Sequence, residues 1–384
     1  MARLVALDLP GGPTFADVVR RTWERGDAVL VLDRRATDEA RQALVRLAGA
    51  HVVVDADGVE APGPAPGAPL DDGDRLVVAT SGSTGTPKLV VHTEAGLRAH
   101  AAAVHARLGV APDRDRWLAC LPLDHLGGFG VVARSLLTGT PLDVVDGFAR
   151  DAVARAPDER GSTLVSLVPT ALDRIPADAA AHYRWIVLGG AADAADRPAN
   201  VVRTYGSTET GGGVVYDGRP LQDVEVAVDG DGRIALRGPT VGRGLRREDG
   251  SVAPLVDAEG WLRTGDLGEL GDDGRLVVHG RADALIITGG ENVWPGPVEQ
   301  ALATHPAVAE VVVVGEADPE WGQRVLAVVV PVDAAHPPTL DDLRAHAADA
   351  GLPSPARPRA LRVVASIPRS SLGKPQRPPR PPAT

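Results

Sequence analysis

The chain has 384 residues, enough for about two or three domains, and its 40 basic and 51 acidic residues give a net charge of −11. This acidic balance argues against nucleic acid or an anionic membrane surface as the main partner, so a small anionic ligand would need a local basic site. A single cysteine, Cys120, excludes an internal disulfide, and no apolar run approaches the about 18 residues that span a bilayer. The first eight residues are too soon interrupted by charge for a signal peptide, so we expect a cytoplasmic protein with no membrane span.

The N-terminal segment alternates helical and strand patterns. Helices are predicted over 15–25 and 38–48, and strands over 28–32 and 51–54. This alternation indicates α/β layering. The run Ala61-Pro-Gly-Pro-Ala-Pro-Gly-Ala-Pro69 is rich in proline, which lacks a backbone donor, so we expect a surface linker without a regular ladder.

A loop of small residues follows a predicted buried strand over 75–79. Its sequence is Thr80-Ser-Gly-Ser-Thr-Gly-Thr-Pro-Lys88. Glycines let the backbone approach a phosphate, hydroxyls and N–H groups donate to its oxygens, and a lysine supplies charge. The loop therefore suits a polyphosphate, although a plain surface turn is the alternative. It is not a Walker loop, because Pro87 stands where that motif needs glycine.

The middle of the chain places glycine and hydroxyl clusters after predicted strands. Thr93 is expected to cap a helix over 94–108, a strand over 117–123 ends in Asp124-His-Leu-Gly-Gly-Phe129, and further strands are expected over 164–168, 185–188 and 201–205. Ligands bind outside the carboxyl ends of strands in open α/β sheets, so these clusters are expected to converge on one site. Cys120 lies in an apolar strand and is expected to fill the core, with a nucleophile as the less favoured alternative.

From Val224 onwards the pattern changes. Alternating residues with Asp-Gly turns predict a hairpin over 224–236, and mixed strands and helices from about 297 to 366 predict a small α+β domain. We therefore expect an α/β and α+β fold, with a large domain over 1–281, a small domain over 282–377 and a disordered Pro-rich tail over 378–384.

Two further turns carry chemistry. Tyr205-Gly-Ser-Thr-Glu-Thr210 offers an aromatic face for a base, hydroxyls for a phosphate and a carboxylate for a hard metal ion. Asp266, in Gly260-Trp-Leu-Arg-Thr-Gly-Asp-Leu-Gly268, suits a ribose diol. A solvated turn is the alternative for each.

Five segments occur in the order and approximate spacing of the acyl-adenylate-forming (AMP-binding) superfamily, and together they cover nearly the whole chain. They are the segments 80–88, 205–210, 261–268, 280–299 and 368–374. The resemblance implies a large N-terminal domain of layered sheets and helices, a small mobile C-terminal domain, and an AMP-forming acid–thiol ligase. Such an enzyme uses ATP, Mg²⁺ and coenzyme A.

The resemblance also implies roles for individual residues. Thr208, Glu209, His125 and Lys374 would be catalytic, with Glu209 as the metal ligand and Lys374 serving the first half-reaction. The residues implied to bind the nucleotide are Thr80, Ser81, Gly82, Ser83, Thr84, Gly85, Lys88, Gly189, Gly190, Ala191, Tyr205, Gly206, Asp266 and Arg281. Asp283 would be the hinge between the domains, and the loop Gly289-Gly-Glu-Asn292 would serve the second half-reaction.

Within the superfamily, the chain most resembles the 2-succinylbenzoate–CoA ligases of menaquinone biosynthesis. The similarity rests on the compact length, on Ser166-Leu-Val-Pro-Thr-Ala171, on Arg184-Trp-Ile-Val-Leu-Gly-Gly-Ala191 and on Gly211-Gly-Gly-Val-Val-Tyr216. It implies an acyl pocket lined by His125, Ser166, Gly211 and Gly212, although a histidine near a strand end is often a turn residue. Leu89 and Ala284 depart from the usual pattern, and the shortened large domain predicts a more open pocket.

Three alternatives stay open from the sequence. The substrate could be a different aryl or alkyl acid, the acyl group could be transferred to a carrier-protein thiol, or the chain could be a non-catalytic nucleotide binder. The sequence also leaves a homodimer open. Retention of Lys88, Glu209 and Lys374 favours catalysis, because a binding protein would not need the distant lysine.

Overall fold

The computed structural model describes residues 2–64, 67–68, 70–80, 87–190 and 196–368. Within these ranges the α-helices are α1 (Pro13–Glu24), α2 (Asp38–Ala48), α3 (Glu94–Leu108), α4 (Leu126–Thr138), α5 (Arg150–Arg160), α6 (Pro169–Leu172), α7 (Ala177–Ala181), α8 (Pro295–Ala303) and α9 (Leu340–Asp349). Short 3₁₀ helices cover Thr208–Thr210, Ala282–Ala284 and Ser354–Ala356. None of the helices in the described part of the chain has the length and apolar content needed to cross a membrane.

The strands of the first half are β1 (Leu4–Leu7), β2 (Ala28–Val31), β3 (Val52–Val54), β4 (Glu60–Pro62), β5 (Asp74–Thr80), β6 (Lys88–Thr93), β7 (Trp117–Ala119), β8 (Leu142–Val144), β9 (Leu164–Leu167), β10 (Trp185–Leu188), β11 (Val201–Ser207) and β12 (Gly212–Tyr216). Those of the second half are β13 (Arg219–Pro220), β14 (Glu225–Val228), β15 (Arg233–Arg237), β16 (Gly244–Arg246), β17 (Val252–Ala253), β18 (Leu262–Leu270), β19 (Leu276–Arg281), β20 (Ile286–Thr288), β21 (Glu291–Val293), β22 (Val308–Asp318), β23 (Gly322–Pro331) and β24 (Ala360–Val363).

The described residues fall into two compact units. The first comprises Met1–Ala227, Ala235–Arg263 and Asp272–Leu276, and the second comprises Val228–Ile234, Thr264–Gly271 and Val277–Thr384. The predicted domain boundary after residue 281 and the predicted hinge at Asp283 stay predictions.

One sheet of the first unit, which we call the N-terminal sheet, has the strand order β17-β16-β6-β5-β2-β1-β3-β4. Its central strands β3, β1, β2 and β5 are parallel, as the alternating helices and strands predicted. Residues such as Leu4, Leu30 and Val77 are buried against Val45 and Ala48 of α2. The amphipathic face of α2 therefore covers this sheet.

The expectation that the run from Ala61 to Pro69 is free of regular structure was wrong at its start. Ala61 and Pro62 belong to β4, which pairs antiparallel with β3. Because β4 is the edge strand of the sheet, Pro62 can lack an N–H on its outer side without breaking a ladder.

The second sheet of the first unit, which we call the site sheet, has the order β13-β12-β11-β10-β9-β7-β8. Strands β8, β7, β9, β10 and β11 are parallel, and β12 then returns antiparallel to β11. Leu118, Val165 and Ile186 are buried together with Val153 and Ala156 of α5, which packs against this sheet. The parallel strands all end at one edge.

The second unit contains the predicted α+β arrangement. Its sheet has the order β21-β20-β23-β22, with β24 pairing parallel to β23. Val298 and Leu302 of α8 and Leu343 of α9 are buried against Val313 and Val325 of this sheet. A further four-stranded sheet has the order β14-β15-β18-β19 and contains the predicted hairpin.

Candidate active site

The carboxyl edge of the site sheet gathers most of the described site residues that the sequence predicted. β7, β9, β10 and β11 are neighbouring parallel strands, so the segments that follow them leave the sheet on one side. The predicted residues placed there are His125 after β7, Ser166 in β9, Gly189 and Gly190 after β10, Tyr205 and Gly206 in β11, and Thr208 and Glu209 after it.

The ends of the predicted phosphate loop lie on an antiparallel pair in the N-terminal sheet. Thr80 is the last residue of β5, Lys88 is the first residue of β6, and the two are paired in register. Lys88 is exposed. Ser81, Gly82, Ser83, Thr84 and Gly85 lie outside the described residues, as do Ala191 and Lys374 and the tail over 378–384.

The turn after β11 is fixed by its own side chains. Thr210 is fully buried, its hydroxyl accepts from the Ser207 N–H at 2.8 Å, and it lies 2.8 Å from the Gly212 carbonyl oxygen. Gly211 and Gly212 have φ angles of 75° and 120°, a region that favours glycine. The chain direction at Thr208 and Glu209 is therefore set by a compact, glycine-dependent turn.

Close backbone approaches hold the same turn against its neighbours. A β-carbon on Gly206 would lie 2.0 Å from the Gly212 carbonyl oxygen, so only glycine fits at that position. The Glu209 carbonyl accepts from the Gly242 N–H at 2.8 Å. Glu209 thus sits on a backbone tied to the loop that precedes β16.

The glycine pair after β10 lies beside β11. The Gly189 N–H donates to the Leu167 carbonyl at 3.0 Å, and Gly190 has a φ of 85°. A β-carbon on Gly189 would lie 2.9 Å from Thr204 Oγ1, which in turn donates to the Leu188 carbonyl at 3.1 Å. Gly189 is therefore fixed by close packing on β11, and Gly190 by a φ that favours glycine.

Two buried histidines flank the turn that carries Glu209. His92 lies in β6, and burial lowers its pKa to about 4, against weaker opposing effects from the Thr208 backbone and Glu209. His100 lies in α3, and burial, helped by the nearby Arg134 charge, lowers its pKa to about 3. Both imidazoles are therefore neutral at physiological pH.

Arg134 of α4 is a buried cation. Its side chain is 6% exposed, its guanidinium lies 4.7 Å from the ring centre of Trp117, and Nη2 donates to Ser166 Oγ at 3.4 Å. Its Nε has no hydrogen-bond partner, and no carboxylate pairs with it among residues 2–64, 67–68, 70–80, 87–190 and 196–368. Burial lowers its pKa, and the side chain of Tyr216 opposes this effect.

His125 lies at the start of α4 in a cluster of charged residues. Its Nε2 lies 3.1 Å from Asp124 Oδ2, and Arg35 pairs with Asp33 at 2.8 Å and with Asp124 at 3.6 Å. Burial raises the pKa of Asp124, whereas the Arg35 contacts outweigh burial and leave the pKa of Asp33 lowered. Asp124 therefore holds His125 by a direct contact.

The predicted ribose and hinge residues lie in the second unit. The Asp266 N–H donates to Thr264 Oγ1 at 3.1 Å, and Arg281 Nη1 lies 3.9 Å from Asp266 Oδ1. Arg281 also pairs with Asp283 at 3.2 Å, and Asp283 is exposed within its 3₁₀ turn. The structure thus brings Asp266, Arg281 and Asp283 together.

The sequence prediction for Cys120 is confirmed. The side chain is 1% exposed, and burial raises the pKa of its thiol to about 12. A thiol that stays protonated at neutral pH is a poor nucleophile.

Glu209 is the carboxylate that the sequence predicted as the metal ligand of this site. No group of three or more histidine, cysteine, aspartate or glutamate side chains lies close enough together to hold a metal ion in the part of the chain that the structure describes. A single carboxylate fits Mg²⁺ that is held mainly by substrate phosphates and water.

The sequence interpretation missed His92, His100, Asp124 and Arg134. Arg134 had a visible signal, since it is a lone charge between the apolar runs 129–133 and 136–137. The two histidines had none, because the turn that they flank lies more than 100 residues further along the chain.

The chain matches the AMP-binding enzyme family over residues 24–281 and the C-terminal domain of AMP-binding enzymes over residues 297–374. A probable 2-succinylbenzoate–CoA ligase of Mycobacterium tuberculosis strain H37Rv is 44% identical over 330 residues, which cover 80% of this chain and 84% of the relative.

Among solved structures, the o-succinylbenzoate CoA synthetase of Bacillus subtilis is similar in two complexes. In complex with its acyl-adenylate intermediate it has a TM-score of 0.81 and 25% identity, covering 97% of this chain and 87% of that one. In complex with ATP and magnesium ion it has a TM-score of 0.80 and 26% identity, covering 97% and 88%. The fold and the ordered motifs agree with these matches, and the chain belongs to the AMP-binding enzyme family.

Proposed function

We propose that the chain is an ATP-dependent 2-succinylbenzoate–CoA ligase. In the first step, a substrate carboxylate oxygen attacks the α-phosphorus of ATP, giving an acyl-adenylate and pyrophosphate. In the second step, the thiol sulfur of coenzyme A attacks the acyl carbonyl, loses its proton and releases AMP. The similarity to 2-succinylbenzoate–CoA ligases supports this reaction.

Arg134 is the observation that carries the substrate assignment. A buried guanidinium that no carboxylate of the described ranges pairs with is costly, because its removal from water is not offset by a counter-ion there. A substrate carboxylate bound at Arg134 would supply that counter-ion and accept charge-assisted hydrogen bonds from its fork of donors. 2-Succinylbenzoate has two carboxylates, so one could be activated while the other is bound.

Ser166 places this cation against β9 of the site sheet. It lies in β9, accepts from Arg134, and is itself buried at 7% exposure. A hydroxyl beside a guanidinium provides a second donor for a carboxylate oxygen. Arg134 and Ser166 therefore form one polar end of the acyl pocket, with His125, Gly211 and Gly212 along its walls.

The nucleotide would be bound by the segments that the sequence predicted. Thr80, Lys88 and the loop between them would bind the β- and γ-phosphates, Gly189 and Gly190 would approach the nucleotide with open backbone, and Tyr205 would pack on the adenine. Thr208 would donate to the α-phosphate. Asp266 would bind the ribose hydroxyls, with Arg281 beside it.

Glu209 would hold Mg²⁺, whose charge, when bound, lowers the cost of bringing a carboxylate onto a phosphate. Lys374 would add a second positive charge in the first step. We further propose that a small domain over 282–377 turns about Asp283, because the thiol must reach the same carbonyl from another direction.

The deciding experiment measures pyrophosphate release with ATP and Mg²⁺, comparing 2-succinylbenzoate with benzoate and a medium-chain fatty acid, each with and without coenzyme A. We expect 2-succinylbenzoate to be strongly preferred and its CoA thioester to form. Activity on another of these acids would keep the reaction and reject the substrate. No pyrophosphate release with any of the three would contradict the proposal.

Two properties of the whole molecule are also proposed. The charge of −11 and the biosynthetic reaction support a cytoplasmic location, which fractionation of cells would test. A homodimer is compatible with the reaction, and light scattering of the purified protein would measure the molecular mass against the 39.7 kDa of one chain.

A further inference from the structure

We propose that His100 and His92 are positioning residues that hold the Thr208–Gly213 turn so that Glu209 meets magnesium-bound ATP. This inference rests on the proposed function, because it takes Glu209 as the ligand of that magnesium ion. Neither histidine is placed in contact with ATP or the acid.

His100 holds the far end of the turn by a direct hydrogen bond. Its Nε2 lies 2.9 Å from the Gly213 carbonyl oxygen, and because a carbonyl only accepts, the imidazole must donate. His100 is 3% exposed, so its imidazole donates from a buried position. Loss of the donor would remove this hydrogen bond and free the end of the turn to move.

His92 supports the near end of the turn from β6. It is 1% exposed, it lies against the backbone of Thr208, and its Nε2 has no hydrogen-bond partner within the described ranges. Its Cε1 would lie 3.2 Å from a β-carbon on Gly242 and 3.9 Å from one on Gly211. The ring therefore fills the space that these two glycines leave open.

The glycines of the turn and the two histidines pack against each other. A β-carbon on Gly212 would lie 3.5 Å from both Cε1 and Nε2 of His100, so His100 packs directly on the turn. Gly242 lies against His92 and donates to the Glu209 carbonyl at 2.8 Å. The backbone that carries the Glu209 side chain is thus held by two hydrogen bonds. One is accepted by the Glu209 carbonyl and the other by the Gly213 carbonyl.

This support matters because the carboxylate carries a negative charge toward a triphosphate. Repulsion by the phosphates would push a loosely held Glu209 away unless the magnesium ion lay between the carboxylate and the phosphates. A site that must hold its groups within a fraction of an ångström needs locked supporting residues. His92 and His100 provide that support from β6 and α3, outside the motifs that carry the chemistry.

The test compares the binding of ATP with and without magnesium by isothermal titration calorimetry, in full-length wild type, His100→Met and His100→Gln. Methionine removes the donor at similar volume, whereas the glutamine amide can place an N–H where the imidazole Nε2 stood. We expect His100→Met to weaken magnesium-dependent ATP binding about tenfold, as for the loss of one side-chain hydrogen bond to the backbone. ATP binding in EDTA should be unchanged, and His100→Gln should recover most of the affinity.

His92→Ala would empty the space beside Gly211 and Gly242 and should weaken magnesium-dependent binding in the same direction. His51→Met is the control, because it removes a histidine–backbone hydrogen bond away from the turn: His51 Nδ1 accepts from the Leu4 N–H at 3.0 Å. A folded His100→Met with wild-type magnesium dependence would overturn the inference. Equal weakening with and without magnesium, or in the His51 control, would also overturn it.

The two proposals fail in different ways. Wild-type protein that binds magnesium-ATP but makes no thioester from 2-succinylbenzoate would contradict the substrate assignment and leave the role of the histidines standing. Wild-type protein whose ATP affinity does not depend on magnesium would overturn the role of the histidines directly.

Discussion

Replacement of Arg134 by methionine should change stability and activity in opposite directions. Arg134→Met removes a buried cation whose Nε is unpaired and whose one hydrogen bond to a described residue, to Ser166, is 3.4 Å long. Methionine fills a similar space and adapts to irregular surroundings. We expect the free protein to gain about 1 kcal/mol or more in unfolding free energy, because removing a buried charge without a counter-ion is favourable even after loss of its contact with Trp117.

The same substitution should strongly reduce activity on 2-succinylbenzoate. Breaking a buried ion pair by removing one partner costs about 3–5 kcal/mol, because the remaining charge is left buried and unpaired. At about 1.4 kcal/mol for each factor of ten, this corresponds to a loss of about 10²-fold to 4 × 10³-fold in kcat/KM. Part of that loss can be relieved by water, so we take about 10²-fold as the expected value.

The assay compares 2-succinylbenzoate with 4-oxo-4-phenylbutanoate, which lacks the ring carboxylate. Wild type should prefer the dicarboxylate by about 10²-fold or more, and Arg134→Met should reduce that preference to near one, because the analogue has no charge for Arg134 to meet. Arg134→Lys keeps the charge without the planar fork, so its preference for the dicarboxylate should lie between those of wild type and Arg134→Met. An equal loss of kcat/KM on both acids, or a less stable free protein, would refute the proposed role.

Three further predictions concern the other parts of the site. Lys374→Ala should slow pyrophosphate release by about 10²-fold while a pre-made acyl-adenylate is still converted to thioester, and equal damage to both steps would contradict the assigned role. Asp283→Pro should spare adenylation and impair thioester formation, because proline restricts φ at the proposed pivot; normal thioester formation would place the hinge elsewhere. The unfolding free energy should fall as the pH is lowered from about 6.5 towards 4, by about 2 kcal/mol for each of His92 and His100 between pH 7 and 5. The reason is that these histidines take up protons below about pH 6.5 in the unfolded chain, whereas their pKa values in the fold are about 4 and about 3. Urea unfolding at each pH measures this effect, and the unfolding free energy of His100→Gln should depend less steeply on pH.

Local chemistry was sufficient to predict many elements. The helix over 94–108 was found with its exact ends, because Thr93 accepts from the Gly96 N–H at 3.1 Å and so caps it. The helix over 38–48 was also found with its exact ends, and the structure adds Thr37 as its cap. Strands β10 and β11 were found from apolar runs that end in glycine or hydroxyl clusters.

Elements that depend on distant partners were not found. The helix α5 was missed, because its charged residues and Pro157 obscure the few apolar positions, Val153 and Ala156, that pack on the site sheet. The strand β4 was taken for a linker, because its pairing with β3 is a tertiary contact that overrides the weak strand preference of proline. Likewise, the motifs located Glu209, but the histidines that flank its turn come from β6 and α3.

The contact of Arg134 with the site sheet gives a physical reason for a long, doubly charged acid. Ser166, its hydrogen-bond partner, lies in β9, and Thr208 follows β11, so one intervening strand separates the two sites. Neighbouring strands are about 4.8 Å apart, so the two ends of the pocket lie about 10 Å from each other across the sheet. An acid that reaches from one end to the other must have several atoms between its two carboxylates. Benzoate is too short to do both, and binding it would leave Arg134 as unpaired as it is in the free protein. Selectivity would then arise because only the longer dicarboxylate removes the cost of the buried cation in the same complex that presents a carboxylate to the α-phosphate.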